Sequence, residues 1–483
     1  MNYDILTYKL LNGVKVMAFY CRERELSKME SLYAGGKFEC VIIYGRRRIG
    51  KTALINEFCR GKRTIFFSAL NSSGRENLAE FSKAIYQAEH ENADSYPSFG
   101  SFDEAFGAVT EMARGERLVL VIDEYPYLAR SDESISSRLQ HLIDHAWQDT
   151  KLYLILCGSS MSFMQRQVLG YESPLYGRRT AQFKLEALTY KETAVFAPNL
   201  DSETNAYVYG ITGGVPHYIN KLNMKGNLRE SLLANIFDRS SYLYEEPQNL
   251  LKQELRDPST YNAIISAIAN GASKLNEIAT RVGLETSACT KYINVLMELE
   301  ILKKALPYGE TKSKRTIYQI DDNFFRFWYR FVSGNIASIA SGRIERTIDR
   351  LVLSHLHEYM GLIFEKMCRE YLLLYARNLP FEITDIGEWW GKEPKTGKEL
   401  QLDLVAQSAE DKGEFIIGSA KFRNEKIGTG ELELIKSYAK VFRANARHHF
   451  FIFSLGGFTD ELLEEAKRGN VTLVTLDAMF KDN

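Results

Sequence analysis

Gly45-Arg-Arg-Arg-Ile-Gly-Lys-Thr52 fills every fixed position of the pattern G-x-x-x-x-G-K-T. Residues of these types in this order do one kind of chemistry. Backbone N–H groups of a glycine loop converge on phosphate oxygens, and the N-terminus of the next helix adds positive potential. A lysine reaches the terminal phosphates, and a hydroxyl is offered to Mg²⁺. Lys51 and Thr52 are those two side chains. Gly45, Arg46, Arg47, Arg48, Ile49 and Gly50, with Ala53 behind them, form the cradle. A second group ends the apolar run Leu118-Val-Leu-Val-Ile-Asp-Glu124. Asp123 is expected to hold Mg²⁺ with Thr52, directly or through water, and Glu124 to polarise an attacking water. Lys51, Asp123 and Glu124 are therefore the expected catalytic residues. ATP is favoured over GTP because no N-K-x-D guanine element follows.

These side chains need strands and helices to place them. Val41-Ile-Ile-Tyr44 reads as the strand before the loop, and Ala53 to Cys59 as the helix after it. Thr64 to Phe67 and Leu118 to Ile122 are further strands, separated by a helix with Leu78, Phe81 and Ile85 on one face. A helix from Ser137 to Gln148 follows, with Leu139, Leu142, Ile143, Ala146 and Trp147 on one stripe. The strand Leu152 to Leu156 ends in Cys157-Gly-Ser-Ser160. Lying between the loop strand and the Asp123 strand, it would bring Ser159 or Ser160 to the terminal phosphate; otherwise the serines mark a simple turn. Arg178 and Arg179 precede a fifth strand, Phe183 to Leu188. They either supply charge to a transition state, in cis or in trans, or belong to a salt-bridged surface loop. The alternation of elements predicts an α/β fold with a parallel sheet, helices on both faces and nucleotide at the carboxyl ends of the strands.

With 483 residues the chain is too long for one core, and several domains are expected. A net charge of -1 gives no global basic field, so any DNA contact must be a local patch. The apolar runs are of strand length, too short for a membrane span. No signal peptide is expected. The 6 cysteines form no C-x-x-C pair, which points to a reducing cytoplasm and away from zinc or disulfides. Histidine spacing suggests no metal site. Residues 1–18 read as a loose tail, with Met17 as an alternative translation start.

Taken together, Arg22-Glu-Arg-Glu-Leu26, Gly45 to Thr52, Ile122-Asp-Glu-Tyr-Pro126, Gly158-Ser-Ser160, Pro174-Leu-Tyr-Gly-Arg-Arg179 and Gly213-Gly-Val-Pro216 resemble the archaeal-type ATPases of the AAA+/STAND superfamily. The resemblance implies that Arg22 and its box approach the adenine side. It also implies that Pro216 lies in a helical lid and senses nucleotide state. Cys21 departs from the pattern, which usually has glycine there.

Farther along, Ile264, Ile265 and Ile268, then Leu275, Ile278, Ala279 and Val282, mark two helices. A third starts near Thr286, with Tyr292, Val295, Leu296 and Leu299 inward and Ser287, Thr290, Lys291 and Asn294 outward. Two strands follow around a loop carrying Lys312, Lys314 and Arg315. This is a winged helix-turn-helix pattern, as the resemblance also implies. Either the third helix enters a DNA groove with those three cations on phosphates, or the module packs and relays nucleotide state; a single basic residue on the helix favours packing. The run Phe324-Phe-Arg-Phe-Trp-Tyr-Arg-Phe331 is aromatic on every face and is expected to be buried.

Residues 345–483 read as a helix with Glu365, three strands, a helix and a fourth strand. The order resembles the PD-(D/E)XK nuclease core, a restriction-endonuclease-like α/β fold. Asp403, Lys421 and Glu365 match its motif positions, and the match implies a metal-dependent nuclease site. Ser419 stands where that motif has an acid, with Glu365 or Glu414 as compensating candidates. The expected division is a tail at 1–18, a P-loop ATPase core at 19–195, a lid at 196–255, a winged helix at 256–335 and the nuclease-like domain at 345–483. The expected function is an ATP-hydrolysing switch acting on nucleic acid, with DNA as the expected partner and a nucleotide-dependent homo-oligomer as the expected assembly. The alternative is a non-nucleolytic regulator or scaffold with a degenerate nuclease fold.

Overall fold

Three apolar runs set the architecture of the first half. In the computed structural model, which describes residues 8–11, 14–17, 19–90, 96–224 and 226–481, they are strands in which every residue is buried: β3 (Glu39–Tyr44), β5 (Leu118–Asp123) and β6 (Leu152–Gly158). Burial on both faces is what a parallel sheet between helical layers requires. With β4 (Thr64–Ser68) and β7 (Ala181–Lys184) they form one sheet in the order β4-β5-β6-β3-β7, parallel throughout. The loop strand and the Asp123 strand therefore flank β6. Helices Gly74–Glu89 and Phe102–Gly115 start at Ser73 and Ser101, whose hydroxyls accept from the backbone three residues on. They bury Phe81, Phe102 and Phe106 against Trp147, whose indole N–H donates to Thr110 at 2.8 Å.

The chain divides into two compact units, Thr7–Ala187 and Leu188–Asn483. The expected ATPase core ran on to residue 195, but the segment after Ala187 is held by the second unit. Leu188 N–H donates to Gly214 O at 2.9 Å, Tyr190 hydroxyl to Met479 O at 2.9 Å, and the Thr189 and Tyr375 hydroxyls lie 2.6 Å apart. A second difference concerns the amino-terminal residues, expected as a loose tail. Among the described ones, β1 (Tyr8–Leu11) pairs antiparallel with β2 (Val14–Met17). The signal was Asn12-Gly13 between two alternating runs, a strong hairpin pattern.

In the second unit, the segment expected as a lid contains helices Ser202–Thr212, Pro216–Leu222, Leu228–Asn235 and Tyr242–Glu254. Helices Pro258–Ala269, Leu275–Val282 and Thr286–Glu298 follow, then the antiparallel pair β8 (Leu302–Ala305) and β9 (Ile317–Ile320). The third helix buries Cys289, Ile293 and Leu296; Tyr292, Val295 and Leu299, expected inward, are only half-buried. The aromatic run is buried as expected, with Phe324 against Tyr218 at 4.6 Å and Phe327 against Tyr359 at 5.6 Å between ring centres.

After helix Leu356–Glu370 comes a mixed sheet: β10 (Ile383–Lys392), β11 (Glu399–Ser408), β12 (Glu414–Lys421), β13 (Arg447–Ser454) and β14 (Thr472–Thr475), adjacent in that order. The first two pairings are antiparallel and the last two parallel. The short strand β14 adds an edge that sequence periodicity did not reveal. Helix Thr429–Phe442 covers one face, burying Leu432, Ile435 and Ala439. Among the described residues, no helix is long and apolar enough to cross a membrane.

Leu154 is fully buried in β6, in the middle of the parallel sheet. Leu154→Ala is expected to destabilise the first unit by about 2–5 kcal/mol. Urea unfolding monitored by circular dichroism measures this; a change within error would contradict a close-packed central strand.

Candidate functional site

The phosphate loop leaves β3 at Gly45, whose added Cβ would lie 2.5 Å from Leu185 O; only glycine lets the two backbones pass. Gly50, at φ 95°, turns the chain into helix Lys51–Cys59, and fully buried Ile49 anchors the loop from below. Lys51 folds back over the loop, donating to Gly45 O at 2.8 Å and Arg46 O at 2.9 Å. Burial pulls its pKa below the ordinary lysine value, opposed by the charges of Cys157, Glu124 and Asp123. Arg47 donates to the Tyr127 hydroxyl at 2.8 Å. Thr52 donates to Asp123 Oδ2 at 3.1 Å. A hydroxyl and a carboxylate meeting at the helix start are hard oxygen donors suited to Mg²⁺.

Glu124 sits next to Asp123 with its backbone at φ 50°, ψ 42°, the left-handed region that non-glycine residues avoid. That turn opens helix Tyr125–Ser131 and aims the side chain across β6. There the Ser159 hydroxyl lies 3.0 and 2.9 Å from its two carboxylate oxygens. The two serines thus part: Ser159 reaches Glu124, while Ser160 precedes a short helix without a side-chain cap. Gly158 allows this closeness, since a Cβ there would meet Pro126 Cδ at 2.8 Å and Met164 Sδ at 2.7 Å.

Other expected residues are dispersed. Cys21 and Arg22 take φ 62° and 72°. The turn that glycine would make is therefore kept, with a cysteine inside it. The Arg22 guanidinium donates to Glu186 O. Arg178 is bound at both ends of its fork to Asp144, at 2.8 and 2.6 Å, the salt-bridged loop alternative. Arg179 has no ion pair among the described residues. Pro216 belongs to the second unit, where it opens helix Pro216–Leu222 after Gly213 and Gly214, both at positive φ.

The second unit gathers its own polar centre. Asp403 on β11 and Lys421 on β12 lie 3.3 Å apart. Asp403 Oδ2 also accepts from the Ala420 N–H at 3.0 Å and lies 3.2 Å from Ser419 Oγ. Sequence reasoning missed Glu431: Ser419 Oγ donates to its Oε1 at 2.7 Å, and Lys421 Nζ is 3.4 Å away. Only the ordinary pattern of an acid in a helix's first turn marked it. Burial pulls Lys421 down, but Asp403 and Glu431 outweigh it and its pKa ends raised. Glu414, one compensating candidate, is excluded: it binds His449 at 2.8 Å and Arg447 at 3.3 Å, at the opposite end of β12. Among the described residues, no three Asp, Glu, His or Cys side chains are gathered to hold a metal ion by themselves. Arg315, expected on phosphate, is instead held by Glu310 and by the Trp390 carbonyl of β10. Lys312 and Lys314 are exposed.

Glu365 is 8% exposed, and burial, reinforced by Asp403, pushes its carboxyl to about pKa 8. Unfolded, it would ionise near 4.5. The folded chain therefore holds the extra proton, and stability from this group is full at low pH and lost as pH rises toward the folded value. Glu365→Gln is expected to raise the melting temperature relative to the parent increasingly from about pH 5 to about pH 9. Parallel pH profiles for the two proteins would refute it.

Residues 19–222 match a family described as an ATPase domain predominantly from Archaea, and residues 328–432 match one described as archaeal and bacterial proteins of unknown function. An uncharacterized protein of Methanocaldococcus jannaschii is 32% identical over 397 residues, 82% of this chain and 85% of that protein. A short protein of the same organism, described as an uncharacterized ATP-binding protein, is 40% identical over 48 residues, 10% of this chain and 81% of its own. Among solved structures, the Walker-type ATPase of Pyrococcus abyssi superimposes with a TM-score of 0.52 at 16% identity, covering 68% of this chain and 99% of that one. At that identity the likeness is one of fold. The first relative matches 82% of the chain and the nucleotide loop lies inside the matched ATPase domain, so this chain belongs to the archaeal-type P-loop ATPase family.

Proposed function

We propose that the chain is an ATP-hydrolysing switch. One observation carries the reading: Ser159 holds Glu124 beside Asp123, while Asp123 holds Thr52 at the mouth of the phosphate loop. These contacts prearrange a base, a metal ligand and a phosphate cradle on three neighbouring strand ends. Lys51 and the loop N–H groups bind the phosphates of ATP. Thr52 and Asp123 would hold Mg²⁺, which when bound offsets the phosphate charge. Glu124 orients water and takes up its proton, and Ser159 controls whether the carboxylate faces the loop. Arg22 serves the adenine side and Pro216 the lid. Arg179 is the better of the two arginines for a neighbour's nucleotide, since Arg178 is held by Asp144.

The target of the switch is the second unit. Its helix-helix-helix-hairpin segment is a winged helix, and its mixed sheet is restriction-endonuclease-like. Nucleic acid is the substrate class that both would serve. The regulator reading also has its own support: Arg315 is tied to β10, and Ser419 stands where a carboxylate would be.

Lys51→Ala is expected to abolish binding of a fluorescent ATP analogue. Glu124→Gln is expected to keep binding but slow phosphate release about 100- to 10,000-fold. ATP hydrolysis retained by Lys51→Ala would sink the switch. DNA cleavage lost in Asp403→Ala separates a nuclease from a regulator.

A further inference from the structure

We infer that Glu431 supplies the carboxylate missing at position 419, so that Asp403 and Glu431 together bind a divalent cation of the Mg²⁺ or Mn²⁺ type. The inference rests on the restriction-endonuclease-like reading of the second unit and names a residue that the motif does not contain.

Three observations converge. Asp403 and Glu431 arrive from different elements, one from β11 and one from the helix after β12, yet both contact Ser419 Oγ, at 3.2 and 2.7 Å. Ser419 is 1% exposed, and its hydroxyl is within hydrogen-bond reach of both carboxylates. A short side chain here leaves room that the longer reach of Glu431 fills. Second, Lys421 Nζ lies between the same two groups, at 3.3 and 3.4 Å. The ammonium marks a position between two anions where positive charge is favoured. Mg²⁺ is commonly held by one or two carboxylates with the remaining ligands as water, so two acids suffice and a third need not be gathered.

The third observation is independent of that pair. Glu365 Oε2, on the helix leading into the sheet, is buried and has no hydrogen-bond partner. It is ion-paired only at 3.8 Å, with Arg369, which already donates to the Asp403 carbonyl at 2.9 Å. A buried carboxyl oxygen without a hydrogen-bond partner is costly unless a cation, or a water on one, completes it. Glu431 is also in the first turn of its helix, the end at which the backbone dipole is positive.

The test measures Mn²⁺ binding by electron paramagnetic resonance, on the full chain without nucleotide, in an Asp123→Asn background that removes the carboxylate of the nucleotide site. The background protein is expected to bind Mn²⁺. Asp403→Asn and Glu431→Gln should each weaken it at least about 10-fold. Ser419→Asp added to Glu431→Gln should restore it, which a merely structural role for Glu431 would not do. Circular dichroism melts identify any variant that fails to fold; the rescue pair then decides. Binding weakened by Asp403→Asn but untouched by Glu431→Gln would overturn the role of Glu431 and leave the nuclease-like reading standing. No Mn²⁺ binding in the background protein, or binding indifferent to both substitutions, would overturn both.

Discussion

The placement of β6 between β3 and β5 is the constraint on which the nucleotide site depends. Adjacent strands lie about 4.8 Å apart, so the loop strand and the Asp123 strand are separated by about 10 Å. The helix that begins at Lys51 bridges that span, and the Thr52 hydroxyl meets Asp123 across it. The intervening strand ends under both, and its last turn delivers Ser159 to Glu124. Had β6 paired elsewhere, the same residues would be present without being neighbours. Every apolar side chain of β3, β5 and β6 is buried, so the register that aligns their ends is enforced by the core.

How much of this was readable depends on how local each signal is. The phosphate loop and the strand ending in Asp123 were readable because pattern, strand and helix are contiguous in the chain. The choice between Ser159 and Ser160 was not, because both follow one strand and the contact that separates them, Ser159 with Glu124, joins residues 35 positions apart. Arg178 looked the same as Arg179 until Asp144, 34 positions earlier, was found beside one of them. The end of the first unit at Ala187 was hidden because Leu188 and Tyr190 are bound by residues far along the chain. Glu431 was hidden for a similar reason: its contact with Ser419 joins a helix to a strand, and spacing alone does not report that.

In the second unit, polar groups do the work of alignment. Glu370 is half-buried, and the desolvation of its carboxyl raises its pKa. It still accepts from the Tyr209 hydroxyl at 2.6 Å and the Tyr190 N–H at 3.3 Å. The Tyr359 hydroxyl lies between two carbonyl oxygens, 2.8 Å from Gly210 O and 2.9 Å from Asn323 O, and shares its one hydrogen between them. A buried hydroxyl or carboxyl is stable only where its partners are, so each contact selects one arrangement of the helices around it. Hydrophobic packing alone would permit these aromatic faces to slide.

The loop between β8 and β9 carries a mechanical consequence. Tyr308 takes the Glu388 carbonyl at 2.8 Å and receives the Gln407 N–H at 3.2 Å, while Arg315 grips β10. The three-helix segment and the mixed sheet are thus welded along one seam. The helix Thr286–Glu298 and the strand that carries Asp403 are therefore joined through one loop by direct hydrogen bonds within a single compact unit.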